Sequence, residues 1–166
     1  MSTPEHLSKQ ATTVVCAVVT VSDTRTKETD ASGKLIVERL EGAGHRVVGY
    51  ELLPDAPGRI RAHVEALCTG DCRAVLITGG TGPARRDTTY EAISDLLEKR
   101  LDGFGELFRV LSFDEIGAAA MLSRAVAGVR GQTVIFSMPG STGAVRLAMD
   151  KLILPQLGHI VSLLTS

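Results

Sequence analysis

The residues best suited to chemistry lie together in the middle of the chain. Three glycines fall within residues 79–82, and Arg85, Arg86 and Asp87 follow closely. Glycine lets a ligand come close to the backbone, and the unpaired N–H groups at a helix start favour negative charge. The pattern predicts a phosphate-binding pocket with a carboxylate at its edge. An ordinary strand-to-helix connection, with glycine present for geometry only, is the alternative.

The elements that would hold this loop are predicted from the residues on either side. Residues 74–77 are an apolar run, as in a short buried strand. Thr88 and Glu91 have the spacing of a capping box, and apolar residues follow at helical intervals. A helix is therefore predicted to start directly after the loop.

Strands and helices are predicted to alternate along the rest of the chain. Apolar runs predict strands at 14–21, 47–53 and 132–137. Helical spacing predicts helices near 35–42, 60–67, 103–111, 116–127, 144–154 and from 155 onwards. The predicted fold class is α/β, a mostly parallel sheet with helices on both faces. We expect a disordered tail at 1–12 and a single domain over 13–166.

Polar, turn-forming tetrads follow the predicted strands, at residues 22–25, 54–57, 78–81 and 138–141. Parallel strands would put these loops on one edge of the sheet, where α/β proteins bind ligands. One composite site is therefore predicted rather than four unrelated turns.

An aspartate stands beside three of the strand ends: Asp23, Asp55 and Asp87. Mg²⁺ prefers one or two carboxylates together with substrate phosphates, and nucleotidyl transfer needs little beyond positioning and charge neutralisation. The three carboxylates are therefore candidates for a magnesium-dependent transfer site. Asp55, which stands between Pro54 and Pro57, is also typical of a turn, and Asp23 is also typical of a cap.

Two other nucleotide-binding patterns fit this chain less well. A Walker loop needs Gly-Lys-Ser/Thr, but Pro-Ala-Arg follows the glycines, so that template is excluded. A dinucleotide fingerprint is half present as Gly79 and Gly82, but Arg85 holds its third position, and it follows the third strand. A nicotinamide oxidoreductase is the weaker alternative.

Further side chains have two interpretations each. Four arginines could either bind anions or be ordinary surface charges: Arg25, Arg85, Arg86 and Arg124. Met121 and Leu122 are predicted to be core. The apolar stripe of the C-terminal segment is either core or a subunit contact.

The composition excludes several classes of protein. With 18 basic and 19 acidic residues the net charge is −1, which does not suit a nucleic-acid-coating surface. Aromatic residues are only 4%, which argues against base-stacking platforms. Cys16, Cys68 and Cys72 lack a disulfide framework and are predicted to be free thiols. With no leader and no apolar run of membrane length, we expect a soluble cytoplasmic protein.

Several segments together resemble the molybdenum cofactor biosynthesis proteins MoaB and MogA. They are residues 20–23, 30–33, 78–82, 86–92, 103–109, 120–125, 138–141 and 154–159. The likeness spans about residues 13–164 in the family's order. It implies a three-layer α/β/α domain that binds molybdopterin, a pterin dithiolene with a terminal phosphate. It also implies a homo-oligomer, either a trimer or a hexamer built from trimers.

In the MogA branch the resemblance implies adenylylation, in which the pterin phosphate attacks the α-phosphorus of Mg-ATP and pyrophosphate leaves. By position, Asp55 and Asp87 are implied in catalysis, and Asp87 in holding Mg²⁺. The implied ligand-binding residues are Ser22, Asp23, Thr78, Gly79, Gly80, Thr81, Gly82, Arg86, Pro139, Gly140 and Ser141. We expect pterin and nucleotide ligands, other proteins of the same pathway as partners, and neither nucleic acid nor membrane.

Three segments resemble the MoaB branch more specifically: 103–109, 112–116 and 140–142. Adenylylation is not implied for every member of that branch. A non-catalytic molybdopterin-binding or carrier protein is therefore the alternative to an adenylyltransferase.

Overall fold

A six-stranded sheet runs through the middle of the molecule in the computed structural model, which describes residues 13–166. Its strands are β1 (Val15–Val21), β2 (Arg46–Leu53), β3 (Ala74–Thr78), β4 (Lys99–Arg100), β5 (Val126–Arg130) and β6 (Thr133–Met138). The order across the sheet is β2-β1-β3-β6-β5-β4, so β6 is inserted between β3 and β5. β2, β1, β3 and β6 pair in parallel, whereas β5 is antiparallel to β6 and β4. The mostly parallel sheet is confirmed, and the tail predicted at 1–12 lies outside the described residues.

Helices cover both faces of this sheet. They are α1 (Ala31–Gly42), α2 (Pro57–Cys68), α3 (Thr89–Ser94), α4 (Asp102–Ile116), α5 (Thr142–Ala148) and α6 (Leu154–Thr165). A 3₁₀ turn (Gly117–Leu122) follows α4, and a π-helical segment (Met149–Ile153) joins α5 to α6. The predicted α/β class with three α/β/α layers is confirmed.

Two hydrophobic clusters, one on each face, hold the helices to the sheet. On one face Ile36 of α1, Phe108 of α4 and Leu157 of α6 pack against the strands. On the other face Ile60 of α2 and Ile93 of α3 do the same. All five are almost fully buried, and burial of each such side chain stabilises the fold by about 1.5–3 kcal/mol. The nearly continuous apolar sequence of β1 follows from this, because its residues enter both clusters in turn.

The three cysteines are free thiols, as predicted. Cys16 and Cys72 are buried, and loss of hydration raises the pKa of Cys16 to about 12 and that of Cys72 to about 11. Both therefore stay protonated at neutral pH. Since the thiolate is the reactive form, they behave as small core residues and not as nucleophiles.

The stretch between α4 and β6 differs most from the prediction. A helix is predicted over 116–127, but these residues form the end of α4, the 3₁₀ turn and the start of β5. β5 and β6 make a hairpin in which Arg130 pairs with Thr133, and Gly131 between them has a φ of +59°. Glycine adopts this conformation without steric cost, so the chain reverses here and continues as a strand.

The prediction that Met121 and Leu122 belong to the core is wrong. They are 76% and 53% exposed, whereas the neighbouring Ala120 is buried. A 3₁₀ turn puts every third side chain on the same face, and the inward face here carries Ala120. Val110 and Phe113 of α4 are also exposed, so an apolar surface continues from α4 into the turn.

The C-terminal helices are joined more closely than predicted. α5, the π segment and α6 form one helix, Thr142–Thr165, of 24 residues. Pro155 lies in the first turn of α6, and the π segment before it accommodates the missing N–H. This helix is long and apolar enough to cross a membrane, so the prediction that no apolar run approaches that length is wrong. Met149, Ile153 and Leu157 are nevertheless fully buried against the sheet. Of the C-terminal stripe, Leu157 and Val161 belong to the core, whereas Leu163 is 60% exposed.

Candidate functional site

A cleft of about 450 Å³ opens at the carboxyl ends of β1, β3 and β6. β2 and β3 lie on opposite sides of β1, so the strand order reverses between β1 and β3. Open α/β sheets bind ligands at such a point. The cleft is lined by the predicted residues Ser22, Gly79, Gly80, Thr81, Gly82, Asp87, Pro139, Gly140 and Ser141.

The glycines after β3 are required by the path of the chain. Gly79 and Gly80 have φ angles of +102° and +70°. A side chain at Gly79 would collide with the carbonyl oxygen of Val21, and one at Gly80 with the hydroxyl of Thr89. Within the part of the chain described, the N–H groups of residues 80–82 donate to no other group. These neighbouring donors are therefore available to an anion at the wall of the cleft.

A smaller cavity of about 170 Å³ adjoins the cleft and brings the carboxylates together. The residues Ser22, Gly80 and Asp87 line both spaces. The smaller cavity adds three charged side chains: Asp23, Asp55 and Arg86. The two aspartates predicted to be catalytic thus lie in one cavity, and Asp87 lies at its boundary with the cleft.

Each of these aspartates also holds a loop in place. Asp23 Oδ1 accepts the N–H of Asp55 at 2.9 Å. Asp55 Oδ1 accepts the N–H and the hydroxyl of Thr88, at 3.1 and 2.5 Å. Asp87 Oδ2 accepts the N–H of Ala84 at 3.0 Å. The second carboxylate oxygen of each makes no hydrogen bond within residues 13–166, so each aspartate keeps an oxygen for a ligand.

These carboxylates suit Mg²⁺ only in combination with a ligand. Across the described residues 13–166, no group of three or more His, Cys, Asp or Glu side chains could hold a metal ion alone. Mg²⁺ usually takes one or two carboxylates and completes its shell with water and substrate phosphates. The carboxylate oxygens of Asp55 and Asp87 that make no hydrogen bond are metal ligands of that kind. The residues therefore fit Mg²⁺ bound together with a nucleotide.

The capping box predicted for Thr88 and Glu91 does not form. The Thr88 hydroxyl donates to Asp55, and Glu91 accepts from Arg124 at 2.7 Å. A helix does start at the predicted place, but α3 has only six residues and a correspondingly weak dipole. The groups that face an anion are therefore the N–H groups of the glycine loop and not those of the helix.

Some predicted ligand residues serve mainly to fix the loops. Thr78 is fully buried, and its hydroxyl donates to the carbonyl oxygen of Pro139 at 2.8 Å. Ser22 Oγ accepts the N–H of Arg25 at 3.0 Å, which shapes the turn after β1. Ser141 Oγ caps the N-terminus of α5. The Thr78 hydroxyl thus donates to the backbone, and Thr78 lines neither cavity. Ser22 and Ser141 accept backbone N–H groups and line the cleft.

Sequence reasoning missed the wall that faces the glycine loop. Phe108 and Ser112 of α4 line it, together with Ala119, Leu122 and Ser123 of the following turn. Periodicity does not reveal these residues, because a 3₁₀ turn follows neither the helical nor the strand period. The sequence feature that marks the turn is the resemblance of residues 120–125 to the family, which assigns them no role.

A buried carboxylate, also missed, supports an arginine at the cleft. Asp30 is fully buried and caps α1 by accepting the N–H of Gly33 at 3.0 Å. Its other oxygen accepts the Tyr50 hydroxyl at 2.5 Å. The guanidinium of Arg25, which lines the cleft, lies 3.7 Å from this carboxylate. Asp30 therefore forms an ion pair with a cation that lines the cleft.

Replacing Tyr50 with phenylalanine is expected to destabilise the protein by about 1.5–3 kcal/mol, because a buried carboxylate loses a hydrogen bond. Burial, then the hydrogen bond with Asp30, raise the pKa of the Tyr50 phenol. A raised pKa favours the neutral phenol in the folded state. That stabilisation is complete below the unfolded pKa of about 10 and is lost as the pH rises above it. Wild-type protein should therefore lose stability above that pH, and Tyr50→Phe should lose less.

Urea unfolding at pH values below and above the unfolded-state phenol pKa of about 10 measures this difference. Tyr90→Phe is the control, because within residues 13–166 the Tyr90 hydroxyl accepts a hydrogen bond from the exposed Arg100 alone, at 3.3 Å. We expect it to stay within about 0.5 kcal/mol of wild type. Equal alkaline losses in Tyr50→Phe and wild type would contradict the assignment.

The fold and the site define an α/β protein with a cleft at the switch point of its sheet, lined by a glycine loop and edged by carboxylates. Residues 17–159 match the family described as "Probable molybdopterin binding domain". The molybdenum cofactor biosynthesis protein B of Halalkalibacterium halodurans is 53% identical over 163 residues, 97% of this chain and 96% of that protein. The chain belongs to this molybdopterin-binding domain family, which includes the MoaB and MogA proteins.

Solved structures give the same relationship at the level of the fold. A crystal structure of molybdenum cofactor biosynthesis protein B matches with a TM-score of 0.90 and 55% identity, covering 94% of this chain and 99% of that one. A MogA structure matches with a TM-score of 0.81 and 28% identity, covering 90% and 99%. The resemblance found in the sequence is confirmed.

Proposed function

We propose that this protein acts in molybdenum cofactor biosynthesis, where it binds molybdopterin and adenylylates it with Mg-ATP, releasing pyrophosphate. The family description and the names of the similar proteins support the pathway and the pterin ligand. The cleft volume of about 450 Å³ suits a small-molecule ligand, for which about 300–1,000 Å³ is usual.

The observation that carries the proposal is the pair of adjoining spaces with Asp87 on their boundary. The larger one has an apolar side from α4 and the 3₁₀ turn, which suits a pterin ring. The smaller one has carboxylates and Arg86, which suit nucleotide phosphates and their metal ion. A reaction that joins two phosphate-bearing ligands needs two adjoining binding spaces, and this arrangement supplies them.

In the proposed reaction, an oxygen of the pterin phosphate attacks the α-phosphorus of ATP. The new P–O bond forms as the bond to the β-phosphate bridging oxygen breaks, and pyrophosphate leaves with the electron pair. The attacking phosphate is already ionised, so no general base is needed. The protein contributes mainly orientation and charge stabilisation.

Named residues supply this orientation. The N–H groups of residues 80–82 bind phosphate oxygens, and Arg25, oriented by Asp30, adds a positive charge. Asp55 and Asp87 would hold the nucleotide end through Mg²⁺, and Asp87, at the boundary of the two cavities, is the proposed metal ligand. When bound, Mg²⁺ neutralises charge that develops on the phosphates.

A non-catalytic molybdopterin-binding or carrier role is the second candidate. The observation in its favour is that similarity is higher to proteins named molybdenum cofactor biosynthesis protein B, at 53–55% identity, than to the MogA chain, at 28%. Binding without turnover would use the same cleft and the same glycine loop.

We further propose a cytoplasmic location, a homotrimer or hexamer, and contacts with other proteins of the pathway. The exposed apolar side chains of Val110, Phe113 and Met121 support a subunit contact. They surround a groove of about 440 Å³ on the outer side of α4.

The proposed function is tested by pyrophosphate release from Mg-ATP, with and without freshly prepared molybdopterin. We expect release that depends on both the pterin and Mg²⁺. The pterin supplies the attacking phosphate, and Mg²⁺ is needed to hold the nucleotide phosphates. Pterin binding without release would instead support the carrier role. Absence of both binding and release would contradict both candidates.

A further inference from the structure

Arg124 closes the base of the loop that carries Asp87. Its Nε donates to the carbonyl oxygen of Gly82 at 3.1 Å, and its Nη2 to that of Asp87 at 2.8 Å. Its own N–H donates to the carbonyl oxygen of Thr81 at 2.9 Å. Between these contacts, residues 83–86 are all exposed. One guanidinium thus ties together the two ends of an otherwise exposed segment.

The guanidinium is itself fixed by α3. Its Nη1 donates to Glu91 Oε1 at 2.7 Å, and it lies 5.2 Å from the ring centroid of Tyr90. These contacts use the planar fork of arginine, which reaches two carbonyls and a carboxylate at once. A lysine ammonium keeps the charge but not this geometry. The Arg124 guanidinium is therefore committed to the protein, unlike the anion ligand that the sequence leaves open.

The position of the Asp87 carboxylate depends on the backbone that Arg124 holds. Asp87 Oδ2 accepts the N–H of Ala84 at 3.0 Å. A side chain at Gly82 would come within 2.7 Å of the same oxygen, so the backbone at Gly82 lies directly against the carboxylate. Movement at either end of the segment would therefore displace the charge at the boundary of the two cavities.

We propose that Arg124 is a positioning residue, which sets the Asp87 carboxylate and links it to the opposite wall of the cleft. The link exists because Leu122 and Ser123, directly before Arg124 in the chain, line that wall. The effect on turnover rests on the proposed function, whereas the closure of the loop does not.

Limited proteolysis tests the closure without any substrate. Trypsin cleaves after Arg85 and Arg86, which lie in the exposed segment. Arg124→Ala is expected to speed this cleavage by roughly tenfold, because the loop opens more often without its charged hydrogen bonds. Arg39→Ala is the matched control, since the Arg39 side chain is likewise 31% exposed and paired with a carboxylate. Equal cleavage rates in both variants and wild type would overturn the proposal.

Kinetics in two backgrounds test the action through Asp87. We expect Arg124→Ala to lower kcat by on the order of 10²-fold with little change in KM, and Arg124→Lys to lower it less. In an Asp87→Asn background the same replacement should cause no further loss, because both act on one carboxylate. Equal losses in both backgrounds would overturn the positioning role. Faster cleavage without any wild-type turnover would leave the closure intact and reject the proposed function instead.

Discussion

Asp87→Asn is expected to slow pyrophosphate release by on the order of 10²–10³-fold while molybdopterin still binds. Asparagine has the same shape, and its side-chain oxygen still accepts the N–H of Ala84, so the loop keeps its path. What is lost is the negative charge at the boundary of the two cavities. The loss should therefore appear in kcat, measured with saturating Mg-ATP, and not in the pterin Kd, measured by titration.

Asp71→Asn is the control for this replacement. Asp71 is an exposed residue between α2 and β3, at the opposite edge of the sheet from the cleft. Its replacement should leave both quantities unchanged. An Asp87→Asn protein with wild-type kcat would show that Asp87 has no catalytic role. A protein that loses pterin binding as well would show that Asp87 acts in binding.

Gly79→Ala is expected to destabilise the protein by about 2–4 kcal/mol. Two causes add. Alanine is strained at a φ of +102°, and its methyl group would collide with the carbonyl oxygen of Val21. This oxygen belongs to the end of β1, which cannot move without disturbing the sheet. Urea unfolding measures the loss of free energy.

Two further glycines separate the causes. Gly117 has a φ of +72° with open space around it, so Gly117→Ala should cost only the backbone strain, about 1–2 kcal/mol. Gly42, the last residue of α1, has open space and no positive φ, so Gly42→Ala should be neutral or slightly stabilising. If Gly79→Ala and Gly117→Ala lower the free energy of unfolding equally, the collision with Val21 does not contribute to the loss.

Periodicity located the strands that carry the site to within one residue at either end. β1, β3 and β6 are almost wholly buried runs bounded by polar turns, which is the pattern that the sequence predicts best, whereas β2 at the edge of the sheet is mostly exposed or half-buried. β4 has only two residues, too few for any pattern. β5 consists of four small or apolar residues followed by Arg130, without alternation, so no strand period marks it.

The loops that form the site are predictable from the strand ends. The hydrogen bonds that their side chains make are not. The parallel direction of the strands follows from βαβ units, so the loops with Asp23, Asp55 and Asp87 are predicted on one edge of the sheet, whereas the order of the strands is not predicted. The capping box failed because distant partners took both members, Asp55 for Thr88 and Arg124 for Glu91. Local spacing carries no information about such contacts between residues 33 positions apart.

A chain still on the ribosome lacks a complete cleft until β6 has been made. The N–H of Gly79 bonds the carbonyl oxygen of Met138, and the hydroxyl of Ser32 bonds that of Gly140 at 2.6 Å. This side of the cleft, formed by Gly79 and Gly140, is complete only when β6 has paired with β3. A ligand that fills the cleft therefore depends on the finished domain and stabilises that domain as a whole.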